Sequence, residues 1–474
     1  QNKRFSGVNI EHQINDNFLL GATVMNLSER PITQKANYGS EPVNNTMFGF
    51  NGNFSTEAPF LTRWVNKLPN IDTDVPSNIS VRGEIAYLLS STPKNSDFEG
   101  VATTYIDDFE GSQSNIDVKN ALSWILSSVP AEGVIGSDAA PNDLSGGFHR
   151  AKLAWYNIDP IFYTGQSPSE ISKDEISKNE TRRIFIDEIF PQQDLVQGQT
   201  SVQYTMDLAY YPAEKGPYNN STDAEFSANS EDHWAGITRA LTTTNFNQAN
   251  VEYIEFWMLD TFSNNPDLDD ASLGDLIFNL GSISEDVLRD GRKQYENGLP
   301  GTDGAALTHT TGWGRTPATQ SLVYAFDASA DNRSLQDVGF DGLGDTEESN
   351  IYTNGPANDP AGDNYQYFLQ ATGSVLDRYK RYNGTDGNSI LEVTQNNRGS
   401  YTRPDSEDLN LDNTMNTIDS YFEYRVPIQK NMDVGTHPFL SDVRINTNVQ
   451  LSNGTTTTSR WLQFKIPVLP EYYD

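Results

Sequence analysis

The sequence predicts a mainly β protein with long loops and few short helices. Aromatic residues make up 11% of the 474 residues, enough to fill the core of a sandwich or a barrel, whereas disordered chains contain few of them. Several segments alternate apolar and polar residues with period two between turn-forming residues, as β-strands do. Residues 1–92 differ in character from the chain beyond about residue 97, and this difference predicts two domains.

Charge and composition narrow the classes of function. The chain has 32 Lys and Arg against 65 Asp and Glu, giving a formal net charge of −33. Such a surface repels phosphate backbones, so nucleic-acid binding is excluded. The absence of cysteine excludes disulfides, thiolate zinc sites and thiol nucleophiles. No stretch approaches the ~20 apolar residues of a transmembrane helix, and a chain that begins at Gln1 is expected to be mature, processed or excised from a longer one.

The first domain contains three period-two segments, at residues 18–27, 47–55 and 80–89. Each has about the ~9–11 residues of a membrane-spanning strand. Each also fits a half-buried strand of a soluble sandwich, which the pattern by itself favours. Three strands cannot close a barrel, and lipid does not tolerate open sheet edges, so membrane strands here would belong to a larger barrel. A helical turn is predicted at residues 61–68, before Pro69.

The second domain has an all-β pattern with Asn-Gly and Asp-Gly turn signals. Residues 296–420 form a long polar stretch rich in Gly, Asp and Asn, which in a compact domain would need bound ions or docking onto another surface. The predicted helices are 117–126, 284–295 and 364–372, the first two beginning at the N-cap residues Asp117 and Ser284. The predicted strands are 183–190, 202–211, 251–260, 275–283, 421–428 and 461–469.

The stretch YIDDFEGSQS at residues 105–114 holds three carboxylates, Asp107, Asp108 and Glu110. Alternation in a strand places Asp108 and Glu110 on one face and Asp107 on the other. Asp107 and Asp108 therefore cannot easily act on one substrate bond, which disfavours catalysis. Asp108 and Glu110 are close enough to share a hard cation such as calcium, which takes six to eight oxygen ligands. A structural calcium site and a solvated strand end are equally open.

Two further acidic segments are candidate calcium loops. In residues 337–348, Asp337, Asp341 and Asp345 recur every four residues beside glycines, without the order of an EF-hand. The alternative for this segment is a polar turn. In the second segment five oxygen-bearing side chains fall within eight residues, which also suits Asx-turns and helix caps. These five are Asp405, Glu407, Asp408, Asn410 and Asp412.

Signals for an enzyme are poor, and no catalytic residue is predicted. The five histidines are scattered without zinc-ligand spacing, and no G-x-S-x-G nucleophile elbow is present. The rival hypothesis is a secreted carbohydrate-binding module or a glycan-active β-sandwich protein. That hypothesis expects an exposed aromatic platform, for example at Trp234 or Trp257, or two carboxylates facing each other across a groove.

Long stretches of the chain resemble one family, the SprA (Sov) proteins of the bacterial type IX secretion system. The resemblance extends nearly from end to end and is more specific than a short motif. The segments that carry it are residues 25–49, 61–88, 105–130, 359–365, 379–389 and 404–426.

The resemblance implies part of an outer-membrane translocon, a giant single-chain β-barrel linked to protein export and gliding motility. Residues 1–92 would be a few transmembrane β-barrel strands with connecting segments that contact outer-membrane lipid. Residues 97–470 would be a jelly-roll-like β-sandwich cap domain on the cell surface. The implied partners are the remainder of the translocon chain, a PorV-like barrel, a plug protein and secreted cargo with a C-terminal sorting signal. The family supplies no catalytic residues, and calcium is inferred from the acidic segments alone.

Overall fold

The chain is mainly β with few short helices, as predicted. It divides into two compact units, which are described separately: Gln1–Ser114 with Phe190–Ser201, and Asn115–Ile189 with Val202–Asp474. The predicted domain boundary between residues 92 and 97 lies outside the described residues. The computed structural model describes residues 3–29, 44–89, 91, 116–129, 139–191, 201–222, 226, 229–243, 246, 251–263, 272–301, 307–319, 325–382 and 403–468.

The first unit is an antiparallel sheet in which strands adjacent in sequence pair in the order β1-β2-β3-β4. The strands predicted at 18–27, 47–55 and 80–89 are confirmed, and β1 is an additional strand. The helical turn predicted before Pro69 is confirmed as α1, which begins with a proline at its first position. The elements are β1 Lys3–Asn15, β2 Phe18–Glu29, β3 Asn44–Glu57, α1 Pro59–Val65 and β4 Asn78–Leu89.

The second unit has short antiparallel sheets, and the helices with described bounds are all short. The longest described helices of the chain have seven residues, and none of those described has the length and hydropathy to cross a membrane. The strands are β5 Ile125–Leu126, β6 Ala151–Tyr156, β7 Ile184–Phe185, β8 Val202–Gln203, β9 Asp207–Lys215, β10 Ile237–Thr238, β11 Tyr253–Leu259, β12 Ser272–Ser282, β13 Thr308–Thr310, β14 Arg315–Pro317, β15 Ser420–Gln429, β16 Leu440–Gln450 and β17 Thr456–Pro467. The helices are α2 Ile186–Ile189, α3 Ala330–Gln336, α4 Asp345–Glu348 and α5 Val375–Tyr379.

Two sheets of the second unit share one hydrophobic core. One sheet has the order β11-β17-β16 and the other pairs β12 with β15. Leu462, Phe464 and Ile466 alternate along β17 and are fully buried. Phe464 stacks on Phe256 of β11 with ring centroids 5.0 Å apart, and Val426 of β15 lies in the same core. Apolar residues from two sheets thus meet in one layer, as in a β-sandwich.

The polar stretch between residues 296 and 420 contributes to two further cores. In one, Tyr156 of β6 stacks on Tyr379 of α5 with ring centroids 4.2 Å apart, and Phe368 packs beside them. In the other, Phe340 and Tyr352 pack with residues from several other segments. Scattered aromatic residues therefore anchor the described parts of this stretch on hydrophobic cores.

The helix predicted at residues 117–126 is wrong. Asp117 and Asn120 each accept a hydrogen bond from the backbone N–H two residues further on, at 3.0 and 3.1 Å. Short side chains that bond nearby backbone groups compete with the helix. The segment instead forms a single 3-10 turn at Ala121–Ser123, followed by strand β5.

The helix predicted at residues 284–295 is wrong because carboxylates occupy its backbone N–H groups. Glu407, distant in sequence, accepts hydrogen bonds from Leu288 N at 3.1 Å and Gln294 N at 2.9 Å. Asp286 accepts from the N–H groups four and five residues further on, at 3.0 and 2.9 Å. These bonds replace the helical ones, and tertiary contacts override the local pattern.

The helix predicted at residues 364–372 is also wrong, and the segment consists of turns and irregular backbone. The guanidinium group of Arg378 donates hydrogen bonds to the carbonyl oxygens of Phe368 and Ala371. A buried side chain of α5 thus satisfies carbonyls that would otherwise need helical partners.

Candidate functional site

Buried carboxylates are concentrated in the second unit. Three of them form ion pairs: Glu188 with Arg182, Asp260 with Arg460 and Asp408 with Lys293, at 2.8, 2.5 and 2.6 Å. Burial of a charge requires such compensation, so the remaining carboxylates need another explanation. The thirteen buried carboxylates among the described residues are Glu188, Asp260, Glu285, Asp286, Asp290, Glu296, Asp337, Asp341, Glu348, Asp363, Asp405, Glu407 and Asp408.

Three of these carboxylates converge in space. One oxygen each of Asp341, Glu348 and Asp363 lies within 4.8 Å of the other two, and the three residues are 0%, 1% and 4% exposed. We call them the inner carboxylate cluster. A second group of three, Asp345, Glu348 and Asp359, shares Glu348 and is more exposed. A single glutamate therefore connects a buried group of acids to one that reaches the surface.

Asp341 is positioned by a tight turn that needs two glycines. Gly339 and Gly342 have φ values of +77° and +66°, a left-handed region that favours glycine. A Cβ atom at Gly339 would overlap the Asp363 carboxylate. The turn is held by two hydrogen bonds, from Leu343 N to Asp341 Oδ1 at 2.9 Å and from Arg315 N to the Asp341 carbonyl at 2.7 Å. The glycines thus allow Asp341 and Asp363 to approach.

Glu348 joins helix α4 to the turn that carries Asp363. It is the last residue of α4, and its Oε2 accepts a hydrogen bond from Ala361 N at 2.9 Å. Asn364 strengthens the same connection, because its side-chain amide donates to Asp345 Oδ1 at 2.9 Å. The inner carboxylate cluster therefore combines side chains from the glycine turn, from helix α4 and from the turn that carries Asp363.

Several oxygens of the inner carboxylate cluster accept no hydrogen bond. Among the described residues, Asp341 Oδ2 and both carboxylate oxygens of Asp363 are buried without a hydrogen-bond partner. Burial raises the pKa of Asp363, and the nearby Tyr218 hydroxyl opposes that rise. This hydroxyl accepts a hydrogen bond from Phe340 N at 2.9 Å and keeps its own hydrogen to donate towards Asp363, so it is a neutral neighbour that supplies no counter-charge. Buried polar atoms normally have partners, so these oxygens point to a missing ligand.

Burial and mutual repulsion shift the acidities within the cluster. The pKa values of Asp341 and Asp363 are raised well above the usual range, first by burial and then by neighbouring carboxylates. Burial also raises the pKa of Glu348 to about 7, against the opposing hydrogen bond from Ala361 N. Burial lowers the pKa of Lys152 to about 8, against the opposing charges of Asp359 and Asp363. The site therefore favours any added positive charge.

The predicted residues Asp337, Asp341 and Asp345 have different surroundings. Asp341 and Asp345 lie in the two carboxylate groups that share Glu348. Asp337 ends helix α3 and faces Glu296, whose pKa is raised well above its usual range by burial and then by Asp337. The structure thus places two of the three predicted residues in separate groups linked by Glu348, and places the third beside another buried carboxylate.

Glu296 also links the two acidic segments that the sequence predicts. Its Oε1 accepts hydrogen bonds from Val338 N, at 2.7 Å, and Gly339 N. Its Oε2 accepts from Asp405 N at 2.5 Å. Asp405 is therefore held near the first segment through its backbone, and its side chain is buried.

The carboxylates of Glu407 and Asp408 are occupied by protein donors. Glu407 accepts from Leu288 N and Gln294 N at 3.1 and 2.9 Å. Asp408 pairs with Lys293 at 2.6 Å. These contacts organise the backbone, as in the alternative of a structural loop, and calcium at these two residues remains a prediction.

Asn410 and Asp412 lie at the exposed end of the same loop. Asn410 Oδ1 accepts a hydrogen bond from Asp412 N at 3.0 Å, and Asp412 Oδ1 accepts from Thr414 N at 2.8 Å. These are Asx-turn contacts. In the described part of the chain, no group of three converging acids includes residues 405–412.

Sequence reasoning missed three residues of these groups: Glu348, Asp359 and Asp363. Glu348 closes the acidic segment that begins at Asp337, and the segment DPAGDNY at residues 359–365 holds the two aspartates. Both segments stood out, but their proximity depends on a tertiary contact. Asp107, Asp108 and Glu110 lie outside the described residues.

An apolar sheet face is the second candidate site. Register pairs Phe50 of β3 with Ala22 and Ile85, and Asn51 with Gly21 and Glu84. Apolar side chains of all four strands therefore lie on one face, and the other face has rows of polar residues. The residues that define the apolar sheet face, each 39% to 68% exposed, are Val8, Ile10, Leu20, Val24, Phe50, Phe54, Val81, Ile85 and Tyr87.

The tryptophans proposed for glycan binding do not form an exposed platform. Trp234 is buried, with the Arg150 guanidinium 5.4 Å from its ring centroid. Trp257 is partly buried against the cluster that contains Trp461. An open aromatic surface is needed to stack a sugar ring, and neither residue provides one.

One part of the second unit matches a known protein family. Residues 344–471 match the family model SprA_N, described as a motility related/secretion protein. No curated protein matches the chain. The matched segment includes Glu348, Asp359 and Asp363 of the carboxylate groups and strands β15, β16 and β17. Fold and comparison together define a mainly β, motility- or secretion-related protein.

The match confirms the resemblance to the SprA/Sov family for residues 344–471, which include the segments 359–365, 379–389 and 404–426. The resembling segments between residues 25 and 130 lie outside the matched residues. The family suggests an outer-membrane secretion protein.

Proposed function

We propose that the chain forms part of the outer-membrane translocon of type IX secretion and performs no chemistry of its own. In this proposal β1 to β4 are strands of the transmembrane barrel, and the second unit is a jelly-roll-like cap on the cell surface. The observation that carries the proposal is the apolar sheet face of the first unit. The family match of residues 344–471 supports the secretion role.

The strands of the first unit have the features of a lipid-facing barrel wall. They have 12 to 14 residues, enough for the ~9–11 residues of a tilted membrane crossing. Large apolar side chains such as Phe50, Ile85 and Tyr87 are 60%, 68% and 64% exposed. A water-exposed patch of this size would be unfavourable, whereas lipid acyl chains would cover it. The opposite, polar face would line the barrel interior.

The edges of the sheet require further strands. Among the described strands, β1 pairs only with β2, and β4 pairs only with β3. Backbone groups at an open edge have no hydrogen-bond partners in lipid. We infer that strands from the remainder of the translocon chain pair with both edges and close the barrel.

The second unit would act by steric exclusion and charge. A folded cap over the barrel mouth would limit leakage, and a chain of net charge −33 would repel acidic surfaces and resist adhesion of cargo. The proposed partners are a PorV-like barrel, a plug protein and cargo proteins with a C-terminal sorting signal. Cargo would pass without covalent change.

Single cysteines on neighbouring residues test the membrane assignment, because the chain has no cysteine of its own. Asn51→Cys and Glu84→Cys should react with a water-soluble maleimide in the assembled translocon. Phe50→Cys and Ile85→Cys should not react with it. After labelling with a fluorophore in detergent and reconstitution, only probes at residues 50 and 85 should be quenched by brominated lipid.

The lipid-quenching measurement separates a membrane strand from a soluble sandwich. In a soluble sandwich, cysteines at residues 50 and 85 would also be protected from maleimide, but brominated lipid would not quench their probes. Equal quenching at residues 50 and 51, or none at either, would contradict the proposal.

A further inference from the structure

The inner carboxylate cluster has a feature that a solvated acidic patch lacks. Asp363 is 4% exposed, and neither of its carboxylate oxygens is paired with a described donor in good hydrogen-bond geometry. The Tyr218 hydroxyl near it is neutral and supplies no counter-charge. Asp341 is fully buried, and its Oδ2 also has no hydrogen-bond partner among the described residues. The two side chains approach each other and Glu348 within 4.8 Å. Buried acceptors without donors, directed at one point, indicate a ligand that supplies positive charge.

The surroundings of the cluster are apolar. Phe340, Tyr352 and Ala361 belong to one buried hydrophobic core, and each lies within four residues of a cluster carboxylate. Three carboxylates beside such a core repel one another and lose hydration, so they can be charged together only with a counter-charge.

The cations near this core do not neutralise the cluster. Among the described residues, no Lys or Arg forms an ion pair within 4.0 Å of Asp341, Glu348 or Asp363; the ion pairs are those of other carboxylates. The Arg150 guanidinium is buried, and its Nη2 donates to two backbone carbonyl oxygens at 3.2 Å. Lys152 interacts electrostatically with Asp359 and Asp363, but one cation shared with Asp359 does not offset three buried carboxylates. Further positive charge must therefore come from elsewhere.

We propose that Asp341, Glu348 and Asp363 bind one Ca²⁺ ion. The donor atoms are carboxylate oxygens without nitrogen or sulfur, which suits a hard cation and disfavours zinc or copper. Three carboxylates can supply up to six oxygens, within the range that calcium takes. Magnesium retains several waters in a rigid octahedron, and a site with residues at most 4% exposed has little room for them.

The second, more exposed group of three carboxylates provides a route for the ion. Asp345 is exposed and Asp359 is partly buried, and both converge with the shared Glu348. Surface carboxylates raise the local concentration of cations, and Glu348 can contact an ion from either group. The Ca²⁺ ion would fasten the turn at residues 339–343, helix α4 and the turn at residues 359–363. This proposal does not depend on the translocon function, since it concerns the fold of the second unit.

Calcium titration of the full chain tests the proposal. Protein stripped with EDTA and dialysed should bind Ca²⁺ in calorimetry more tightly than Mg²⁺, and its melting temperature should rise with calcium. Asp363→Asn and Asp341→Asn should each remove one equivalent of calcium, or weaken that equivalent on the order of 100-fold or more, since even outer-shell changes cost 10–100-fold. Asp327→Asn, the same change at an exposed aspartate that accepts a hydrogen bond from Ser329 N at 2.8 Å, should leave that equivalent intact.

Melting temperatures with and without calcium distinguish a lost calcium site from a variant that has simply failed to fold. In EDTA, Asp363→Asn should melt at or above the temperature of the wild type, because one repelling charge is gone. In calcium it should melt below the wild type. Calcium stoichiometry and affinity unchanged by both aspartate variants, or a wild type that binds no calcium, would overturn the site.

Discussion

Replacing Arg182 with methionine should lower the free energy of unfolding by about 3–5 kcal/mol, because Glu188 would stay buried without its counter-charge. The two side chains are each 2% exposed and are joined at 2.8 Å. Glu188 also accepts a hydrogen bond from the Trp461 indole at 3.4 Å, so the ion pair connects α2 to β17. Chemical denaturation followed by tryptophan fluorescence measures the loss.

A neighbouring ion pair on the surface is the matched control. Lys178 lies 2.5 Å from Glu175, and its side chain is 57% exposed. Lys178→Met should therefore change stability by only about 0.2–1 kcal/mol. The double variant Arg182→Met with Glu188→Leu should recover most of the loss, because no charge remains buried. Equal losses for the two single variants would show that burial does not determine the effect.

Replacing Ile85 with arginine should destabilise the barrel by about 2–4 kcal/mol if the apolar sheet face meets lipid near the bilayer midplane. Ile85 is 68% exposed and pairs with Phe50, the seventh of the fourteen residues of β3. An arginine there would bring its charge into the hydrocarbon layer. Urea unfolding of the translocon in lipid vesicles, and its amount in outer-membrane fractions, measure the effect.

Glu84→Arg places the same side chain one residue away on the opposite face. The register pairs Glu84 with Asn51 and Gly21, so its side chain should meet water in the barrel interior. We expect normal amounts of this variant in the outer membrane. If Glu84→Arg lowered stability or the amount in the outer membrane as much as Ile85→Arg, or more, the lipid-facing assignment of the apolar sheet face would be contradicted.

Period-two alternation predicted the strands of the first unit, whereas local signals did not predict the helices of the second. The strand predicted at residues 183–190 is largely wrong: only Ile184–Phe185 form β7, and Ile186–Ile189 form α2. In strands β2, β3, β4 and β17 the apolar residues alternate with others, so most of them lie on one face of the sheet. The failed helix at 284–295 has a suitable N-cap, but its N–H groups bind Glu407, more than a hundred residues away in sequence. A single sequence does not show such a partner.

The acidic segments were predicted as candidate cation ligands without their complete neighbourhoods. Asp341 and Asp345 were found because they recur beside glycines that allow a tight turn. Asp363 was missed because tertiary contacts, between Glu348 and Ala361 N and between Asn364 and Asp345, bring its turn to helix α4. Residues 405–412 have the same composition, yet their carboxylates bond backbone N–H groups and Lys293. Composition identifies acids, and the surrounding donors decide how they are used.

The sequence by itself determined the β character, the absence of cysteine chemistry, the apolar alternation of the first unit and the resemblance to the SprA family. These follow from composition and local period, which a chain carries before it folds. The tertiary structure decided which acids are buried, which have protein donors and which converge without partners. That selection depends on contacts between distant segments, because a carboxylate's charge state is set by its burial and neighbours.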